Sequence, residues 1–188
     1  MASIKMSDTL RVLNRLQAEG VIGTYAIAGA IAAFRHIEAT LTDDLDLLVS
    51  IKAQGGLALV MLEPIFARLR AWGYSEFRLE GIVIEGWPVQ FLPVASDLDA
   101  EALEQAENIE LSLGTPEASV RTRALRAEHV VAIAVKVGRP KDFVRIHQYL
   151  EEEAVDLDAL RGVLVRHGLK DRWQGFCKRT GVADPIFG

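Results

Sequence analysis

The sequence predicts an α+β fold: a mixed β-sheet flanked by helices, followed by a C-terminal helical bundle. Three observations predict it. Short apolar runs bounded by glycine alternate with helical patterns up to about residue 125. From Ala127 onward the apolar spacing is helical throughout. The charge balance changes sign near the same place: residues 1–117 sum to −9 and residues 118–188 to +4, within a net charge of −5. A chain of 188 residues suits one compact unit. Residues 1–125 are therefore expected to form an α/β core and residues 126–188 a helical segment packed on it. No repeat, low-complexity tract or linker suggests otherwise.

The elements follow in order. Ser7 can cap a helix running to about Glu19, with Leu10, Leu13 and Leu16 on its apolar side. Gly20 and Gly23 break the chain before a short apolar strand, Tyr25 to Ala28. Gly29-Ala30 then turns into a helix through about Ile37. Leu45 to Ile51 reads as a buried strand, and Leu57 to Trp72 as a helix that Pro64 either kinks or restarts. Phe77 to Leu79, Val83 to Glu85 and Val89 to Leu92, separated by Gly81 and Gly86-Trp87-Pro88, read as a meander. An acidic helix from about Leu98 to Glu107 and one or two strands, Ile109 to Leu113 and Ser119 to Thr122, complete the mixed part. The tail holds helices over Glu128–Val137, Lys141–Glu152 and Leu157–His167, with a final short turn near Trp173.

Composition excludes several classes. At 50% hydrophobic and 25% charged residues the chain is neither disordered nor fibrous. The single cysteine, Cys177, forms no internal disulfide and excludes a cysteine–zinc centre, which favours a reducing compartment. No run approaches the ~20 apolar residues of a membrane span. The start, Met-Ala-Ser-Ile-Lys-Met-Ser-Asp, lacks the apolar core of a signal peptide. A cytoplasmic protein with no membrane partner is expected. His36, His129, His147 and His167 show no metal-ligand spacing, and no nucleophile elbow is present. Lys178 and Arg179 could lower the Cys177 pKa, although a lone thiol near the terminus is usually incidental. Trp72, Trp87 and Trp173 are too scattered for a base-stacking platform.

The chemistry concentrates in Tyr25 to Val49, YAIAGAIAAFRHIEATLTDDLDLLV. On a strand of period two, Asp44 and Asp46 point to one face while Leu45 and Leu47 point to the other. Leu48 shares the carboxylate face, so the pair belongs at the strand's exposed beginning. Two adjacent carboxylates on a partly buried strand gain little unless a cation neutralises them. Oxygen ligands of this kind suit Mg2+ (or Mn2+), and two ions about 4 Å apart can clamp the attacking and leaving oxygens of a phosphoryl transfer. Upstream, Gly29-Ala30 follows a strand and opens a helix, where free backbone N–H groups can meet a phosphate. Each element alone is common: a Gly-Ala turn means little, and Thr42-Asp43-Asp44 could be a mere capping cluster. Their order and spacing are more specific than either part.

With Ala28-Gly29-Ala30 followed by Thr42-x-Asp44-Leu45-Asp46-Leu47, the chain resembles the nucleotidyltransferase superfamily with the DNA-polymerase-β-like fold. The tail from Glu128 to Asp142, a helix ending in Lys136 and then Arg139-x-x-Asp142, is similar to that of AbiEii-type toxins and other small nucleotidyltransferases. The likeness spans roughly Tyr25 to Trp173. It implies Asp44 and Asp46 as catalytic metal ligands, and Gly29, Ala30 and Thr42 beside the triphosphate. It also implies Lys136 and Arg139 near nucleotide phosphate, with Asp142 supporting the site's edge. A lysine in an otherwise apolar helix must in any case snorkel or find an anion.

Three departures matter. Ala30 offers a backbone N–H but no hydroxyl. Thr40 stands where the resembling toxins often carry arginine. The third catalytic carboxylate of the family falls at Gln90, because period two puts Val89 and Phe91 on the opposite face. Glutamine brings no charge and cannot act as a base. Glu85 could substitute if a bulge at Gly86 re-aimed it. The expected function is magnesium-dependent transfer of a nucleotidyl group from a nucleoside triphosphate to an acceptor hydroxyl. Lys136, Arg139 and Lys141 supply positive potential, and Arg121, Arg123 and Arg126 extend it toward an RNA or tRNA acceptor. The resemblance also implies a toxin–antitoxin or phage-defence role with a cognate antitoxin chain. The alternative is a catalytically degenerate binding or interaction module, with Gln90 as its support.

Overall fold

A computed structural model describes residues 6–38, 42, 44–51, 58–111 and 119–188, excluding the side chains of residues 58–61. Its elements are α1 (Met6–Ala18), β1 (Tyr25–Ile27), α2 (Gly29–Ala33), β2 (Leu45–Val49), α3 (Ala58–Ala71), β3 (Phe77–Arg78), β4 (Gly81–Ile84), β5 (Trp87–Pro93), α4 (Asp97–Glu104), β6 (Glu107–Leu111), β7 (Val120–Ala124), α5 (Ala127–Val137), α6 (Pro140–Glu151), α7 (Leu157–Arg166) and α8 (Lys170–Thr180). The predicted positions Thr40, Asp43, Leu57, Ser112 and Leu113 lie outside the described residues. The class is α+β as expected, with a mixed sheet flanked by helices and a helical C-terminal part.

The strands form one seven-stranded sheet in the order β3-β4-β5-β2-β1-β7-β6. β3, β4 and β5 are the expected antiparallel meander. Two-residue loops close both of its hairpins. In the second, Glu85 and Gly86 have φ of 50° and 88°, the pair of positive angles that a type I′ turn requires. β5 then runs parallel to β2, and β2 antiparallel to β1. The sheet is therefore mixed at its centre, where the carboxylate strand β2 sits between β5 and β1.

Leu45 and Leu47 are fully buried, and each contributes roughly 2 kcal/mol by leaving water. They belong to one continuous core that runs from Met6 to Cys177 and takes in Leu10, Leu13 and Leu16 of α1 and Trp173 of α8. Thr9 donates to the Ile84 carbonyl at 3.0 Å, tying α1 to β4.

Several boundaries differ from expectation. Ser7 is not a cap: it lies inside α1, buried, and among the described residues its hydroxyl has no hydrogen-bond partner. α2 has five residues rather than nine, because Arg35 and His36 donate to the carbonyls three residues back and tighten the chain out of the helix. α3 passes through Pro64 unbroken, since Pro64 faces solvent and the carbonyl left without a partner can bind water. α4 stops at Glu104, where the Arg123 guanidinium accepts the duty of a C-cap by donating to the carbonyls of Leu103, Glu104 and Ala106. The turn expected near Trp173 is a full helix, α8, of eleven residues. Its buried side Trp173, Phe176 and Cys177 has helical spacing, and only Gly175 weakens it. Among the described residues no helix is long and apolar enough to cross a membrane.

Candidate functional site

β2 and the residue just before it deliver two carboxylates to a cavity of about 650 Å3. Asp44 and Asp46 line it together with Leu48, as the alternation of the strand requires. Thr42 does not line it. Its hydroxyl donates to Asp44 Oδ1 at 2.9 Å, so Thr42 orients a carboxylate rather than meeting a ligand.

Asp46 leans on the β1–α2 turn. A Cβ placed on Gly29 would stand 2.1 Å from Asp46 Oδ2, and Gly29 has φ +59°. Glycine is thus required twice, for backbone conformation and for close approach. The Ala28 N–H donates to the Asp46 carbonyl at 2.8 Å and holds turn and strand together. Gly29 and Ala28 line the cavity, whereas Ala30 is buried behind them. With α2 only five residues long, the helix dipole offered to an anion is small.

The opposite wall comes from α5 and α6. Lys136, Arg139, Lys141, Asp142 and Arg145 all line the cavity. Burial and the neighbouring Asp44 charge raise the Asp46 pKa, and Lys141, Arg145 and Arg139 pull it back only in part. The two charged walls therefore act on one another across the cavity. Lys136 has already found its anion, donating to Ser96 Oγ at 2.6 Å with Asp99 Oδ1 at 3.8 Å. Asp142, 1% exposed, receives Arg139 through both guanidinium arms at 2.9 and 3.1 Å and also accepts the Arg139 backbone N–H. It is an α6 capping residue at the cavity edge, and its charge raises the Arg139 pKa.

Gln90 occupies the place that alternation gave it. It pairs in register with Asp46 across β5 and β2, on the same face, and lines the cavity. Its amide donates to Glu80 Oε2 at 2.8 Å. Glu85 is not a substitute: it sits in the second hairpin loop and accepts from the Tyr74 hydroxyl, away from the cavity lining. Arg123 and Arg126 are also engaged elsewhere, Arg123 on the end of α4 and Arg126 with Glu107 and Glu128. They do not extend the basic wall, and Arg121 is likewise absent from the lining.

Sequence reasoning missed Glu80 and Asp99, and it counted Arg145 in the basic stretch without naming it as a site residue. Arg145 had a signal, since it follows Lys141 by one helical turn. Glu80 and Asp99 had none, because long-range pairing brings them in. It also missed Glu101, which binds His129, His167 and Arg166 at 3.3, 2.8 and 2.6 Å beneath the helices. Cys177 is buried and its thiol is pushed up to about 11, contrary to the activation its basic neighbours suggested.

No protein-family description matches this sequence, and no curated protein does. Solved structures do. An antigenic nucleotidyltransferase-like protein from Paracoccidioides brasiliensis superposes with a TM-score of 0.50 at 12% identity, over 94% of this chain and 95% of that one. The antibiotic-resistance factor ANT(2'')-Ia superposes with a TM-score of 0.48 at 14% identity, over 94% and 97%. The first of these likenesses shows that the chain has a nucleotidyltransferase-like fold.

Proposed function

We propose that this chain is a magnesium-dependent nucleotidyltransferase, which binds a nucleoside triphosphate and passes its nucleotidyl group to an acceptor hydroxyl. One observation carries the reading: Asp44 and Asp46 share a cavity with Gly29, facing Arg139, Lys141 and Arg145. A carboxylate raised in pKa by burial and a like charge wants a cation, and cationic side chains opposite want an anion. A metal–triphosphate complex satisfies both. Among the described residues no three His, Cys, Asp or Glu side chains are placed to hold a metal alone. The two carboxylates Asp44 and Asp46 are a partial oxygen donor set that fits Mg2+ or Mn2+, which keep waters and share substrate phosphates. Bound there, the ion would polarise the α-phosphate and neutralise the departing pyrophosphate.

The chain's own residues do the rest. Thr42 holds Asp44, and Gly29 gives Asp46 and a phosphate close access to backbone. Lys141 and Arg145 balance the triphosphate, Lys136 adds charge at the wall while held by Ser96 and Asp99, and Ala30 lies behind the lining. Asp142 keeps Arg139 at the rim. The tail likeness to AbiEii-type toxins supports an RNA or tRNA acceptor, a cytoplasmic setting and a toxin–antitoxin or phage-defence role with an antitoxin partner. Of the basic residues, Lys141 and Arg145 are those that support RNA.

Calorimetric titration of nucleoside triphosphates with and without Mg2+ tests the site. Native protein is expected to bind only with metal, and Asp44→Ala/Asp46→Ala to lose at least about tenfold in affinity. Metal-independent or absent binding would sink the reading. Gln90 favours a second reading, a binding module without turnover, because the position in register with Asp46 is uncharged. Labelled nucleotide that binds but is never transferred would favour that module.

A further inference from the structure

Gln90 leaves β5 without a carboxylate, and the neighbouring hairpin brings one. Ile82 of β4 stands opposite Val89, so the same register carried one residue further sets Gly81 beside Gln90. A Cβ on Gly81 would meet the Val89 backbone nitrogen at 2.8 Å and its carbonyl carbon at 2.9 Å. Glycine there lets the hairpin seat directly on β5. Glu80, the preceding residue, lines the same cavity as Asp44 and Asp46. Gln90 Nε2 donates to its Oε2 at 2.8 Å, and among the described residues its other oxygen has no hydrogen-bond partner. Arg139 lines that cavity as well.

We infer that Glu80, held by the Gln90 amide, is the proton acceptor of the transfer reaction, supplying from the β3–β4 hairpin the carboxylate that β5 lacks. The inference rests on the nucleotidyl-transfer reading above. In the step, the acceptor O–H proton passes to the Glu80 carboxylate. The freed oxygen forms a bond to the α-phosphorus, and the bond from that phosphorus to pyrophosphate breaks, with pyrophosphate leaving as the anion. Gln90 is then a positioning residue: its amide fixes one carboxylate oxygen and leaves the other for the proton. An amide at position 90 suits this arrangement better than a second acid, which would repel Glu80.

The test compares native protein with Glu80→Gln, Glu80→Asp and the exchange Glu80→Gln/Gln90→Glu. Each is given α-labelled nucleoside triphosphates, Mg2+ and bulk tRNA. Label is followed both into tRNA and into nucleoside monophosphate, the product when water is the acceptor. Binding of the nucleotide with Mn2+ is measured in parallel by calorimetry. Loss of a general base costs on the order of 10²–10⁴ in rate. Glu80→Gln is expected to transfer about 100-fold more slowly, with nucleotide affinity held within about threefold. Glu80→Asp should lose less than Glu80→Gln, and the exchange variant should regain at least about tenfold by restoring a carboxylate in the pair. Native transfer rates in Glu80→Gln overturn the inference, as does a loss of rate explained by lost nucleotide binding. Native protein that binds metal and nucleotide but transfers label to neither acceptor overturns it too, and leaves the nucleotide site standing. Failure of native protein to bind nucleotide overturns the nucleotidyl-transfer reading itself.

Discussion

At φ +59°, Gly29 occupies backbone space that alanine enters only at a cost of about 1–2 kcal/mol. The same substitution drives a methyl group into Asp46 Oδ2. Gly29→Ala is therefore expected to lower stability by about 2–3 kcal/mol in urea denaturation and to abolish metal-dependent nucleotide binding. Adding Asp46→Ala should return the steric part and leave the backbone part, so the two changes will be less than additive. An additive pair would show that the carboxylate does not lean on the turn. Position 29 was legible as a glycine turn in the sequence, but the identity of the atom it accommodates was not. That atom sits seventeen residues further along the chain, and only the pairing of β1 with β2 brings it back.

Between elements, Glu101 of α4 joins α5 and α7 through His129, His167 and Arg166. These hydrogen bonds, Arg166 foremost, hold its pKa at about 2, below the ordinary 4.5. A carboxyl whose folded pKa is depressed contributes stability above its unfolded pKa and loses it as pH falls through the folded one. Glu101→Gln should thus lower the melting temperature at pH 7, and the gap to native protein should close between about pH 4.5 and 2. A constant gap across that range, read by calorimetry, would refute the assignment. No spacing rule reveals this cluster, since its members come from three helices and each reads alone as a surface residue. The strand pair Asp44 and Asp46, by contrast, was legible because period two is local. So was Gln90, whose face followed from Val89 and Phe91. Glu80 was not, because its role depends on how a hairpin lies against β5.

For the whole molecule, the cavity draws on both halves of the chain, with β2, β5 and the first hairpin on one side and α5 and α6 on the other. α5 is buried along most of its length and belongs to the same core as the strands. Fragments 1–125 and 126–188 are accordingly expected to lack a cooperative thermal transition when expressed separately, as circular dichroism would show. A sharp transition in either would contradict a shared core. The net charge of −5 describes neither wall of the cavity. Ionic strength should therefore affect ligand capture through the basic wall even though the protein as a whole is acidic.

The contact between Gly29 and Asp46 also fixes the order in which this site could decay under sequence drift. While the carboxylate keeps its place, a side chain at position 29 must push it aside and also adopt a positive φ, so glycine is the less free of the two to change. Once Asp46 has been replaced by something smaller, the steric bar falls and only the positive φ is left, which asparagine tolerates best. Relatives of this chain in which the proposed site has decayed are therefore expected to include some with Gly29 and no Asp46, and far fewer with Asp46 and a side chain at 29.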